Sequence, residues 1–316
     1  MLHTITHPRH SASTLHVGVG IERGTDTLDA VQAAATTARA SLDGVTPHLA
    51  VVLTTAAPRG ELTRSVRGVL GSVGVTGGVT AGLLTDRGLV TEGAMVICFS
   101  NAEGATSGVA ATKGSQLADA AQAAARLVLA GWPFRGRYPR GFTLGFSAQA
   151  SGAPAAGFLT PWRELMGPKM RTICGSMMGD VFGAASTPPL ASVGCLEAAY
   201  LMGLGLSEGA GDTDTMIHGT VDATRTALKW LEGKPARIVF ALESAARYRA
   251  LGAAAEREWA AIRDQIREHD GSAGGPCVGW LCEEVAAYGR GVHPIDVPGA
   301  LVIAALCDPD NKHGGC

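Results

Sequence analysis

One order of elements recurs three times along the 316 residues, and a repeat of that length constrains the fold more than any single motif. Apolar segments begin at residues 48 (HLAVVLT), 141 (GFTLGF) and 237, in steps of 93 and 96. Each is followed by a helical stretch (61–70, 153–166, 248–269) and a short strand (73–75, 171–174, 277–278). A glycine-bearing loop and a closing strand (93–99, 198–206, 299–306) complete the copy. Each copy is preceded by a stretch with apolar or alanine residues at helical spacing (27–42, 115–130, 213–231). The strand–helix–strand portion favours parallel pairing, whereas short glycine links to the last strands favour hairpins. The expected fold is therefore α/β, with mixed sheets built from three similar helix–strand–helix–strand–strand–strand units about a pseudo-threefold axis.

Local signals agree with those bounds. Thr25, Ser115 and Asp212 or Thr213 are N-cap residue types, and Gly44, Gly131 and Gly233 stand where a helix ends in a left-handed residue. The alanine-rich stretches 32–40 and 118–125 let neighbouring backbones approach closely. Hydrophobic residues make up 46% of the chain and charged residues 17%, which opposes disorder and supplies a large core. A net charge of −2 gives no electrostatic reason for a nucleic-acid or acidic-membrane partner. The N-terminus has no signal-peptide pattern, and no apolar run reaches the ~18 residues of a membrane helix, so a cytoplasmic location is expected. The seven cysteines form no CxxC pair and read as small buried hydrophobes, with Cys316 exposed in a solvated tail.

The glycines point to a site. Gly77 and Gly82 are five apart, as are Gly175 and Asp180, and Gly279 and Glu284. In each copy a strand ends on Gly, small or apolar residues follow, and a Gly or an acid closes the loop. Glycine permits close approach of another backbone, and ligands of open α/β sheets sit beyond strand ends. Three such loops related by a pseudo-threefold would meet. They would make a pocket with Gly77, Gly78, Gly82, Gly175 and Gly279 at its backbone and Thr80, Ser176, Asp180, Cys282, Glu283 and Glu284 as its polar groups. Structurally, the same residues would only turn the chain and cap helices.

At these residues the chain resembles the FIST sensory-domain family of bacterial signal transduction. The resembling segments are HVGVGIERGTDTLDAVQAAATTA (16–38), HLAVVLTTA (48–56), VTGGVTAGLL (75–84), GAMVICFS (93–100), ICGSMMGDVFG (173–183), residues 236–262 and CVGWLCEEV (277–285). The resemblance implies a leader (1–14), an N-terminal part (15–185), a C-terminal part (186–307) and a tail (308–316). It implies noncatalytic binding of a small ligand of amino-acid-like class, read by a signalling protein acting in trans. It also implies that Arg247, just past an apolar strand, holds a ligand carboxylate; the plainer reading is a surface ion pair with Glu243 or Glu256.

Two other chemistries bear on the same residues. A haem-based gas sensor would need an axial His, Cys, Met or Tyr. His3, His7 and His10 lie in a Pro- and Ser-containing leader, His218 and His269 lie in or at the end of helices, and no CxxCH motif exists, so no cofactor is expected. A threefold α/β chain also resembles ring-opening amidohydrolases in outline, so hydrolysis of a small cyclic amide at a central Ser/Lys or Cys site is the alternative. Lys113, Lys169, Lys229 and Lys234 do not fall at matched offsets, and neither GxSxG nor HExxH occurs. Trp132 among Arg135, Arg137 and Arg140 reads as a structural loop.

Overall fold

The computed structural model describes residues 14–58, 61–100, 105–110, 117–131, 141–148, 156–167, 170–183, 191–197, 202–209, 211–271, 274–288 and 299–308. Most of the leader and the tail, Ser115, Lys113, Lys169 and the Trp132 loop lie outside them.

Three mixed sheets form, one per unit, and each unit opens with a strand that sequence periodicity did not mark in the second and third copies. The first unit runs β1 (His16–Arg23), α1 (Thr27–Ala40), β2 (Leu49–Thr54), α2 (Leu62–Leu70), β3 (Gly74–Val79), β4 (Leu83–Thr85), β5 (Gly88–Val90) and β6 (Gly93–Ser100). The second runs β7 (Ala105–Ala110), α3 (Leu117–Gly131), β8 (Gly141–Ser147), α4 (Ala156–Met166), β9 (Met170–Ser176), β10 (Val181–Phe182) and β11 (Ala191–Glu197). The third runs β12 (Met202–Ser207), α5 (Thr213–Lys229), β13 (Ile238–Ser244), α6 (Ala245–Leu251), α7 (Ala255–Asp270), β14 (Cys277–Cys282), β15 (Glu284–Tyr288) and β16 (Leu301–Leu306).

Two expectations are corrected here. The second copy's closing strand is β11 at 191–197 rather than 198–206, and residues 202–206 of the placed segment belong to β12, the opening strand of the third unit, because the apolar sequence on either side has no periodicity that marks the change of unit. The long helix 248–269 is broken, because Gly252 adopts φ +53° and a 3₁₀ turn separates α6 from α7. Asp26, rather than Thr25, caps α1 by accepting from the amides of Leu28 and Asp29, and Asp212 caps α5. Gly44 and Gly233 take the expected left-handed conformation beyond their helices, with φ +84° and +79°.

Within each sheet the central strand pairs parallel to its βαβ partner (β2–β3, β8–β9, β13–β14) and antiparallel to the closing strand (β6, β11, β16). The open edge of each sheet is then covered by a strand from another unit. β10 pairs with β3, β15 with β9, and β4 with β14. Each unit gives one strand and receives one, so the exchange closes into a ring of three and leaves no bare edge at β3, β9 or β14.

Alternation explains the layering. On β2, β8 and β13 the larger residues point inward: Leu49, Val51 and Leu53; Phe142, Leu144 and Phe146; Ile238, Phe240 and Leu242. The alternate residues, among them Ala50, Val52, Val239 and Ala241, face the helices. The three inner faces share one core, centred on Phe240, whose ring lies 6.2 Å from Phe99, 5.9 Å from Phe142 and 6.1 Å from Trp280. Helices cover the outside. On β1 and β12, glycines admit the helix backbones, since a Cβ on Gly20 or Gly205 would lie 1.9 Å from the Ala34 oxygen or 1.7 Å from the Ala223 oxygen.

Candidate functional site

The register of the exchanged strands shows how the three glycine loops correspond. Gly78 faces Val181, Gly175 faces Val285, and Trp280 faces Leu83. Gly82, Asp180 and Glu284 each stand one residue before the exchanged partner, as the five-residue spacing implied. The glycine match is one residue out in the second copy. Gly77 and Gly279 share a row with Cys174, and Gly175 belongs to the next row with Gly78 and Trp280.

The loops do meet. The Met178 amide donates to the Val79 carbonyl and the Val79 amide to Asp180, tying the first loop to the second. The Glu283 amide donates to Ser176, tying the third to the second. The Leu281 amide donates to Gly82, and the Thr80 hydroxyl donates to the Leu281 carbonyl at 2.5 Å, tying the third to the first. Close approach accounts for Gly175, whose added Cβ would lie 2.4 Å from the Cys282 sulfur, and for Gly77, at φ +130°, whose added Cβ would lie 1.8 Å from the Val52 oxygen. Thr80, Ser176 and Cys282 are buried, whereas Asp180 and Glu283 are exposed and Glu284 is half-buried. Burial pushes the Cys282 thiol far up. Neither of the two described clefts is lined by these loops.

Arg247 stands apart from this ring, on the helix side of the third sheet. Its guanidinium, 1% exposed, donates to Glu258 Oε1 at 2.9 and 2.7 Å, to the Ser207 and Thr220 hydroxyls, and to the carbonyls of Glu208 and Met216 at 2.8 and 2.7 Å. The surface pair expected with Glu243 or Glu256 is instead a buried pair with Glu258. Glu243 lies against that pair, 4% exposed, and one of its oxygens has no partner among the described residues. Burial, then the Glu258 carboxylate, raise its pKa to about 9, which favours the protonated form at neutral pH.

The largest described cleft lies at the seam of the first and third sheets, with a volume of about 630 Å³. Three elements distant in sequence build it: the end of β1 (Val19, Ile21, Glu22, Arg23), the β4–β5 hairpin (Thr85, Asp86, Arg87, Val90) and the entry to β14 (275–278). The alternation of HVGVGIER puts Val19 and Ile21 against the core and leaves exposed Glu22 and Arg23 at the strand end. The hairpin turn is fixed by the Thr85 hydroxyl, which donates to Gly88 at 2.9 Å and accepts from the Arg87 amide at 3.1 Å. From outside, α7 pins it: Trp259 Nε1 donates to the Thr85 carbonyl, and Arg263 donates to that of Asp86, both at 2.5 Å. Burial pushes the Cys277 thiol in the cleft up to about 12, so it stays protonated. Sequence reasoning missed these residues. Their one local signal is charge that interrupts apolar strands, ER after β1 and DR within the hairpin.

Among the described residues no group of three or more His, Cys, Asp or Glu side chains is placed to hold a metal ion, and no helix is long and apolar enough to cross a membrane. The described lysines, Lys229 and Lys234, lie at the end of α5 and just beyond it, and Lys234 Nζ donates to the Asp308 carbonyl at 3.4 Å.

No protein-family model matches the chain, and no curated protein matches its sequence. Among solved structures, a cyanuric acid hydrolase from A. caulinodans is similar at 14% identity, over 93% of this chain and 99% of that one, with a TM-score of 0.45. A second cyanuric acid hydrolase structure is similar at 11% identity, over 93% of this chain and 100% of that one, with a TM-score of 0.42. A phosphoribosylformylglycinamidine synthase II from Thermotoga maritima is similar at 7% identity, over 94% of this chain and 72% of that one, with a TM-score of 0.27.

Proposed function

We propose that this chain binds a small zwitterionic metabolite of the amino-acid class, without chemistry, and that a signalling partner reads its occupancy, as the FIST resemblance implies, with the ligand in the seam cleft rather than at the three glycine loops and Arg247. One observation carries the reading: a cleft of about 630 Å³ bears Arg23, Arg87, Glu22 and Asp86 above a floor of Val19, Ile21, Val90 and Val278. That volume falls within the roughly 300–1,000 Å³ of small-molecule sites, which pair an apolar lining with a few polar groups. An arginine fork suits a carboxylate, and a carboxylate suits an ammonium, so one rim can hold both ends of an amino acid. Saturation-transfer NMR on amino-acid mixtures tests the reading. Binding that Arg23→Ala weakens supports it, and no transfer to any amino acid counts against it.

Hydrolysis of a small cyclic amide has its own supporting observation. Thr54, Ser147 and Glu243 occupy one row at the ends of the three central strands, each following the residue paired with Gly78, Gly175 or Trp280. The buried Ser147 hydroxyl has no hydrogen-bond partner among the described residues, and it lies near the Cys174 thiol. A nucleophile needs a base within reach, and the two described lysines lie at the end of α5 and just beyond it. Ring opening of cyanuric acid or a related cyclic amide, lost in Ser147→Ala, would replace the binding reading.

A further inference from the structure

The β4–β5 hairpin has a second side. It faces α6 and α7 across another cleft, of about 370 Å³, whose apolar walls include Leu84, Leu89, Tyr248 and Trp259. Arg87 and Arg263 supply its cations. Arg263 is only partly committed. Its Nη1 holds the Asp86 carbonyl, while its Nε is buried and has no partner among the described residues. The Arg263 guanidinium lines the cleft, and a carboxylate entering it would pair with that charge. The carboxylates of Asp86 and Glu256 also line the cleft. They disfavour a ligand with more than one negative charge.

We propose that this cleft is a second ligand site, for a small monocarboxylate with an aromatic or branched apolar body. The carboxylate meets the Arg263 guanidinium, and the body lies on Leu84, Leu89 and the Trp259 ring. The site stands independently of the seam cleft, although Asp86 and Arg87 line both.

Phenylacetate is the probe. Titrated into the full chain and followed by calorimetry and saturation-transfer NMR, it is expected to bind saturably, and benzylamine, which lacks the carboxylate, is not. Arg263→Gln is expected to weaken phenylacetate by about tenfold or more. Ala260→Phe, which fills the cleft from a half-buried position on α7, is expected to abolish binding while the protein keeps its melting transition. Arg23→Ala touches only the seam cleft and leaves phenylacetate affinity unchanged, so failure at one site is read separately from failure at the other. The proposal is overturned by an absence of saturation in the wild type, or by equal binding in folded Ala260→Phe.

Discussion

At the scale of residues, the densest polar chemistry in the described chain is buried. Arg247 and Glu258 form an ion pair with side chains 0% and 2% exposed, and Arg247 joins β12, α5, α6 and α7 through its other donors. Removing one member of such a pair strands the other charge in a low-dielectric interior. Arg247→Met is therefore expected to lose about 3–5 kcal/mol in a denaturant titration. Glu243 gives a pH prediction of definite sign. In the folded chain it releases its proton near pH 9, whereas the unfolded chain does so in the ordinary carboxylate range. The folded state binds more protons between those limits, so that contribution is fully present below the carboxylate range and is lost as pH rises through about 9. Glu243→Gln stays neutral throughout. Across about pH 5 to 9 the wild type should lose more than about 1.4 kcal/mol of stability relative to that variant, measured by melts at several pH values. None of this is legible in VFALESAAR alone, because Glu258 lies beyond a helix break and Ser207 in another strand.

At the scale of elements, two kinds of glycine separate cleanly. Gly20 sits where β1 touches the α1 backbone, and Gly20→Ala is expected to cost about 1–3 kcal/mol or more from overpacking. Gly68 lies exposed in α2 with nothing within 4 Å of an added Cβ, and Gly68→Ala should stabilise by about 0.5–1 kcal/mol. Thermal melts of the pair read both signs. The β4–β5 hairpin is the element that both proposed sites share. Arg87 lines both clefts, so Arg87→Ala should weaken ligands at both, whereas Arg23→Ala should weaken the seam cleft alone, as calorimetry would show. The helices and central strands were legible because their periodicity is carried within one segment: β2, β8 and β13 are apolar runs, and α1 shows alanine at helical spacing. The exchanged strands were not, because β10 has two residues and β4 three, and what makes them strands is pairing with another unit. The seam cleft was hidden for the same reason, since its walls come from residues 19–23, 85–90 and 275–278.

At the scale of the whole molecule, the ring of exchanged strands and the shared aromatic core leave no unit complete by itself. The second unit surrenders β10 to the first sheet and receives β15 from the third. A fragment spanning 105–197 should therefore lack dispersed amide signals in NMR, and unfolding of the full chain followed by circular dichroism and by tryptophan fluorescence should coincide. The threefold plan was visible in the repeat, whereas the direction in which each unit hands on its strand became visible only in the register. That arrangement also turns the three glycine loops into a mutual tie and moves the candidate ligand site to a seam between sheets. The most direct test of that placement is a thermal-shift panel of amino acids on the wild type beside the double variant Arg23→Ala/Arg87→Ala. At a ligand concentration near 100 times Kd, binding adds about 2.7 kcal/mol, which for a chain of this size raises Tm by several degrees. The account predicts such a rise for at least one amino acid in the wild type and none in the double variant, whose ligand-free melting is unchanged. No rise with any amino acid, or an equal rise in both proteins, would contradict it.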